Sequence, residues 1–310
     1  MSVTFELPPR GIDWLQTPEG EARGYIKSDD LKELWIHTGT ACNLACPFCL
    51  EGSKPGDMRL GQVTLADVKP HIDEAYEMGT RQFSFTGGEP FVVKGMIEIL
   101  DYAASKGNCL VLTNGTLPVL RRIKEIATLV PHKDKIKFRV SIDYPDAARH
   151  DEGRGDGSFD QAFEGMRALY DLGFDVSMAR QMEKDEPSKA EGDAPYRAVL
   201  AHKDMPTDMT IVAFPDFATP GSIVDVPHIS EDCMTRYHTE QTRAEFMCGF
   251  SRMMVKDKGE MRVYACTLVD DDTDYDLGDS LGESMDETIR LKHHRCYSCF
   301  AYGASCSEGA

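Results

Sequence analysis

The sequence predicts an α/β fold built on parallel strands. Short apolar runs alternate with helical periodicities about six times between residues 34 and 214. That alternation pairs strands in parallel through right-handed crossovers. In addition, residues suited to chemistry fall repeatedly at the C-terminal ends of the predicted strands. Parallel α/β folds gather their function there, whether the sheet is open and doubly wound or curls into a barrel.

Residues 1–33 are rich in Pro, Gly and charge and read as an irregular lead-in, too short for an independent recognition domain. Leu34–Thr38 is the first strand, and the loop after it carries Cys42, Cys46 and Cys49. A helix follows, capped by Thr64 or Asp67. Pro70 is tolerated only in a first turn, which favours Asp67 as the cap. Val68, Ile72, Ala75 and Tyr76 form its apolar stripe, and Gly79 closes it. Gln82–Thr86 is the second strand, running directly into Gly87-Gly88-Glu89-Pro90. A helix is expected over Val92–Ser105, and Cys109–Thr113 is the third strand, ending in Asn114-Gly115. A further helix spans Leu117–Leu129. Lys135–Ile142 alternates as the fourth strand and ends at Asp143. Ser158 and Gln161 compose a capping box for a helix to Tyr170. Phe174–Ala179 is the fifth strand, with Arg180 at its end. The polar stretch 183–195 reads as an exposed loop before a short helix over Tyr196–His202. Met209–Phe214 is the sixth strand. After about Phe217 the alternation stops. The expected organisation is therefore a lead-in over 1–33, a main domain over 34–217 and a small cysteine-rich domain over 218–310. The last is too small and polar for a large core and would gain from a metal staple.

The chain has 310 residues, 52 acids against 34 bases and a formal charge of −18. This balance disfavours nucleic acid and anionic membrane surfaces as partners. No apolar run reaches membrane-span length, and the N-terminus lacks a signal pattern, so the chain reads as soluble and cytoplasmic. The nine acids between Asp270 and Glu287, unaccompanied by Lys or Arg, read as a solvated loop, with cation binding as the lesser alternative.

Nine of the ten cysteines fall into two groups, which in a cytoplasmic protein points to metal. Cys109 stands alone in an apolar run and reads as core. Cys42-x3-Cys46-x2-Cys49 can converge three thiolates on one volume, as an iron–sulfur cluster requires. The same three also suit a zinc site completed by a distant Cys or His, or inert buried thiols.

Taken with its surroundings, the triad resembles that of the radical S-adenosylmethionine (SAM) enzymes. The resemblance rests on the triad with Phe48 before its last cysteine, and on Gly87-Gly88-Glu89-Pro90 after the second strand. It continues through Thr113-Asn114-Gly115, Ser141-Ile142-Asp143, His150-Asp151-x2-Arg154-Gly155 and Gly157-Ser158-Phe159-Asp160, covering about residues 34–215 in order. It implies a partial (β/α)6 barrel. Cys42, Cys46 and Cys49 would hold a [4Fe–4S] cluster whose unique iron chelates SAM. Reductive cleavage of SAM, fed by a donor such as flavodoxin or ferredoxin, would yield a 5′-deoxyadenosyl radical that takes a hydrogen atom from substrate. Gly87 and Gly88 would let the backbone approach the methionine moiety. Glu89 would accept from its ammonium or hold the loop. Ser141 and Arg154 would meet its carboxylate, Asn114 and Asp143 the ribose, and Arg180 the carboxylate or substrate.

Cys248, Cys266, Cys296 and Cys299, with Gly259 between the first two and Met261–Tyr264 as a strand of a small hairpin, resemble the SPASM and Twitch auxiliary-cluster domains of that family. The resemblance implies one further [4Fe–4S] cluster, with Cys306 able to replace one ligand and Cys233 the remaining extra. A zinc knuckle from the same four cysteines is the alternative. The expected activity is oxidation of a small polar metabolite assisted by the second cluster. The alternative is a peptide-modifying maturase, and the third reading a non-catalytic metal scaffold. No acid–base residue stands out among His37, His228, His238, His293, His294, Tyr297 and Tyr302.

Overall fold

The computed structural model describes residues 10–183, 185–303 and 307. The strands are β1 (Tyr25–Lys27), β2 (Glu33–His37), β3 (Gln82–Thr86), β4 (Asn108–Thr113), β5 (Ile136–Ser141), β6 (Asp175–Gln181), β7 (Ile211–Phe214), β8 (Ser251–Asp257), β9 (Glu260–Tyr264) and β10 (Thr288–Arg290). Eight of them form one sheet in the order β7-β6-β5-β4-β3-β2-β8-β9. From β2 to β7 every neighbour is the next strand in sequence, and every pair is parallel. A doubly wound sheet reverses its order at a switch point. This order never reverses, so all the crossovers accumulate on one side and the sheet is a partial (β/α)6 barrel.

β2 lies mid-sheet, flanked by β3 and β8, and all five of its residues are buried, as for a parallel strand covered on both faces. The cysteine hairpin does not stand apart from this sheet. β8 joins β2 in parallel, and β9 folds back on β8 with Asp257 opposite Glu260. Lys258 (φ 50°) and Gly259 (φ 92°) make the two-residue turn. Positive φ at both positions is the conformation that tight hairpins prefer. Cys109 is core, as expected.

Several helices differ from expectation. The first runs Leu65–Glu77 and is capped by Thr64, not Asp67. Thr64 and Asp67 form a reciprocal capping box, leaving Pro70 inside the helix. Asp67 also takes Lys256 Nζ at 2.7 Å. The box and this ion pair offset the one hydrogen bond that Pro70 forgoes. The helix after Pro90 begins only at Met96. A helix over Ala147–Arg154 has no counterpart among the elements that periodicity predicts. Ser158 starts the next helix but does not cap it. Asp151 instead accepts from Gly157 N, Ser158 Oγ and Phe159 N at 2.8–3.0 Å. The expected loop at 183–195 is largely helix: Ser188 caps Lys189–His202.

The lead-in is not irregular throughout. β1 pairs antiparallel with β10, and Arg10 bonds Asp274 O and Glu287. Nor is the acidic run a solvated loop. Asp271 meets His293 and Arg295, Asp272 and Asp274 meet Lys292, and Asp276 grips Arg262. The bases it lacks locally arrive from sequence-distant elements. No helix among the described residues is long and apolar enough to cross a membrane.

Candidate active site

A cavity of about 230 Å³ opens at the C-terminal ends of the barrel strands. Cys42, Cys46 and Cys49 line it, as do Gly87, Gly88, Asn114, Ser141, Asp143, Arg154 and Arg180. The sheet thus brings together residues drawn from five strand ends.

The cysteine loop is built by local and cross-strand bonds. Cys49 N donates to Cys46 O (3.1 Å), and Cys42 N donates to Lys54 O (3.4 Å). Asn114 Nδ2 reaches Asn43 Oδ1 at 3.0 Å and Cys42 Sγ at 3.8 Å. Burial pushes all three thiols up, Cys42 to about 12. A metal would therefore displace protons on binding. A tetrahedral zinc ion with Zn–S near 2.3 Å needs sulfurs less than about 4 Å apart. Among the described residues no three cysteine sulfurs lie within 4.8 Å of one another. Three thiols brought to the wall of one cavity are the donor set that an iron–sulfur cluster takes.

Among the described residues, the one His, Cys, Asp and Glu group that is so compact is His37, Glu51 and Asp270. Gly39 N donates to His37 Nδ1 (3.2 Å), which places the proton of the neutral ring on Nε2, facing Glu51 at 3.1 Å. Asp270 completes the chain by a hydrogen bond to Glu51, and burial followed by the Glu51 charge pushes its carboxyl well up. Because the only ring nitrogen facing the acids already carries a proton, this is a hydrogen-bonded tie.

The Gly-Gly-Glu-Pro segment packs against the cysteine loop. A Cβ on Gly88 would stand 2.2 Å from Ala41 O, and one on Gly87 (φ 128°) 2.8 Å from Gly39 O. The absent side chains make room for the backbone of the cysteine loop, which Gly88 N and Glu89 N bond at 2.9 and 3.0 Å. Glu89 does not line the cavity. Its buried carboxylate accepts from Phe91 N (3.0 Å), Thr113 Oγ1 (2.9 and 3.0 Å) and Asn114 N (2.8 Å). These bonds staple the end of β3 to the end of β4.

Arg154 grips Asp143 through Nε and Nη2, and packs its guanidinium 5.9 Å from the Phe48 ring centre. Burial would raise the Asp143 carboxyl, but the Arg154 charge and hydrogen bonds outweigh it and hold Asp143 low. Arg180 touches the cavity with its charge already claimed. Glu186 takes two of its N–H groups at 2.6 Å, Asp193 takes Nε at 2.7 Å, and Gln181 O accepts at 3.2 Å. It braces β6 against the Lys189–His202 helix and leaves little for a ligand carboxylate. His150, one turn before Arg154, is buried with neither ring nitrogen hydrogen-bonded to a described residue, and burial with the Arg154 charge lowers it to about 4.

A second cavity of about 1220 Å³ adjoins the first and shares Arg139, Gln181, Pro215, Asp216 and Phe217 with it. Tyr144, His294, Tyr297 and Tyr302 are among its lining residues. No sequence pattern marked Pro215, Asp216 or Phe217. Their position directly after β7 was the only available cue. Elsewhere, Cys248, Cys266, Cys296 and Cys299 line one small cavity with Phe246, Met247, Leu268, Val269, Leu291 and Arg295. Burial pushes Cys248 well up and Cys296 to about 11. Cys233 lies apart from that cavity, its Sγ facing Ser230 Oγ at 3.4 Å. Cys306 lies outside the described residues.

Of the histidines, His37 is tied as above, His228 faces Glu19 and His238 faces Thr242. His293 meets Asp271, and His294 meets Phe217 O.

Residues 36–181 match the family model for the radical SAM superfamily. The chain is 37% identical over 140 residues to the antilisterial bacteriocin subtilosin biosynthesis protein AlbA of Bacillus subtilis, covering 44% of this chain and 30% of that one. It is 32% identical over 147 residues to the AdoMet-dependent heme synthase of Nitratidesulfovibrio vulgaris, covering 47% and 39%. These matches span about a third of each curated relative. The crystal structure of Streptococcus suis SuiB bound to precursor peptide SuiA superposes with a TM-score of 0.58 at 15% identity, over 89% of this chain and 68% of that one, which is a likeness of fold.

Proposed function

Since the chain belongs to the radical SAM superfamily, we propose that it modifies a peptide, drawing a hydrogen atom from a segment held in the larger cavity. The family uses a [4Fe–4S] cluster and SAM, and the cluster-and-SAM pair supplies a 5′-deoxyadenosyl radical when bound. Cys42, Cys46 and Cys49 are the residues that would hold the cluster. Gly87, Gly88, Asn114, Ser141, Asp143 and Arg154 form the wall against which SAM would lie. Asp143 and Arg154 neutralise one another, so together they present fixed hydrogen-bonding edges at little net charge. Phe217 and Pro215 would shield that wall from bulk water. Cys248, Cys266, Cys296 and Cys299 would hold the auxiliary cluster, and an external flavodoxin or ferredoxin would supply electrons in the cytoplasm.

The observation that carries the peptide reading is the larger cavity. Small-molecule sites usually enclose about 300–1,000 Å³. A space of about 1220 Å³ sharing a wall with the cofactor pocket is better matched to several residues of an extended chain. Relatives named for bacteriocin biosynthesis and for binding a precursor peptide support it. The small-metabolite expectation is correspondingly weaker, although the heme synthase likeness is its best support.

A labelling experiment tests the proposal without first identifying the substrate. Cells of the source organism are grown in deuterated medium, and their extract is divided into peptide and small-metabolite fractions. Each fraction is incubated anaerobically with reconstituted enzyme, unlabelled SAM and dithionite. A peptide substrate delivers deuterium to 5′-deoxyadenosine from the peptide fraction. Transfer from the small-metabolite fraction alone would sink the proposal.

A further inference from the structure

Arg295 immediately precedes Cys296 and is 1% exposed. All five of its guanidinium N–H groups have acceptors within reach. Nη2 donates to Leu50 O and Ala218 O, each at 3.1 Å. Nε donates to Phe217 O at 3.0 Å. Nη1 donates to Leu268 O at 3.1 Å and to Asp271 Oδ1 at 3.3 Å. A guanidinium has five donors in a rigid fork, so this set is complete.

The acceptors are informative. Leu50 follows Cys49 and lines the cofactor cavity, as Phe217 does from the loop after β7. Leu268 lies two residues past Cys266 and lines the four-cysteine cavity, to which Arg295 also belongs. One buried side chain therefore spans three segments: the first cysteine loop, the loop over the cofactor wall and the auxiliary cysteine segment. A second tie runs in parallel, since Glu51 meets Asp270 across the same gap. A fold-stabilising arginine needs only acceptors. Here two of the five acceptors are carbonyls of residues that shape the cofactor wall.

We infer that Arg295 is a positioning residue, setting the geometry of the SAM pocket by holding Leu50 and Phe217 to the auxiliary cysteine segment. The inference rests on the reading of the cavity beside Cys42, Cys46 and Cys49 as the SAM pocket, which SAM binding by the wild type tests, and it takes Cys248, Cys266, Cys296 and Cys299 as the ligands of a second cluster. Without Arg295, the carbonyls of Leu50, Ala218 and Leu268 lose this donor, while Phe217 O keeps His294 and Asp271 keeps His293, so the two walls of the pocket are held to one another by fewer ties.

The test uses the full chain, reconstituted anaerobically, as wild type, Arg295→Met and Arg295→Lys. Iron per chain, SAM affinity by equilibrium dialysis, and the electron paramagnetic resonance (EPR) spectrum of the reduced protein with and without SAM are measured. The expected result for Arg295→Met is wild-type iron, SAM affinity weakened about tenfold or more, and a SAM-induced spectral change that is diminished or altered. Lysine reaches fewer acceptors, and its variant should fall between the two. Unchanged affinity and spectrum in Arg295→Met overturn the proposal. If that variant loses iron or fails to fold, Arg295→Lys decides by the same two readouts. Cys266→Ala separates the underlying reading. If it leaves the iron count unchanged, the second-cluster reading fails, while the SAM readouts on Arg295 still stand or fall by themselves.

Discussion

Replacing Glu89 by Gln changes one atom and distinguishes two roles for the Gly-Gly-Glu-Pro glutamate. In the structure both carboxylate oxygens accept, Oε1 from Phe91 N and Thr113 Oγ1, and Oε2 from Asn114 N and Thr113 Oγ1. Glutamine keeps one acceptor and turns the other into a donor. One buried backbone N–H, that of Phe91 or Asn114, then faces an NH₂ group. Orphaning a buried donor costs about 1–3 kcal/mol. Glu89 is fully buried, so solvent cannot relieve the loss. The expected cost is about 2–3 kcal/mol, seen as a drop of several degrees in the thermal midpoint. SAM affinity should fall less sharply, through displacement of Asn114, whose side chain reaches Asn43 and Cys42. Differential scanning calorimetry and equilibrium dialysis on the same reconstituted samples provide both numbers. An unchanged midpoint together with abolished SAM binding would refute the reasoning, because it would place the carboxylate on the ligand.

Three further outcomes follow from the same geometry. Gly88→Ala puts a Cβ 2.2 Å from Ala41 O, so the cysteine loop must move, and iron bound after reconstitution should fall well below wild type by chemical assay. Arg180→Met leaves Glu186 and Asp193 without their buried partner. Breaking a buried pair costs about 3–5 kcal/mol, so the melting temperature should drop, while SAM affinity by dialysis stays within about threefold. His150 titrates near 4 when folded against about 6.5 unfolded. The unfolded chain therefore binds the extra proton first, and stability present above pH 6.5 is lost as pH falls. Between pH 8 and 5.5 this amounts to roughly 1 kcal/mol. Calorimetry on His150→Phe, which keeps an aromatic ring beside Phe159, should show that part of the pH dependence removed.

Some of the site was legible because its signals are local. The triad spacing lies within eight residues, and the triad, Gly87, Gly88, Asn114, Ser141 and Asp143 stand at or just past the ends of recognisable strands. Helix ends were less legible where a distant group decides them. Asp67 looked like the better cap until its carboxylate proved to serve both Thr64 and Lys256. Ser158 looked like a cap until Asp151 took over its helix end from the preceding helix. The polar stretch 183–195 reads as a loop because the one buried residue in its part of the helix is a salt-bridge partner, Asp193, while the apolar residues of that face, Tyr196 and Leu200, come only after it.

By itself the sequence determined the α/β class, the six parallel strands and the placement of Cys42, Cys46 and Cys49 after the first of them. Periodicity and short-range spacing are intrinsic to a chain, whatever its partners. Only the tertiary structure decided that the sheet is a partial barrel, because pairing order is a relation between strands. It likewise decided that Glu89 faces inward to the loop, that Arg180 is spent on two carboxylates, and that Arg295 reaches Leu50 across 245 positions. A side chain's hydrogen bonds are set by whatever folding brings within about 3 Å, and for these residues those partners are remote in sequence.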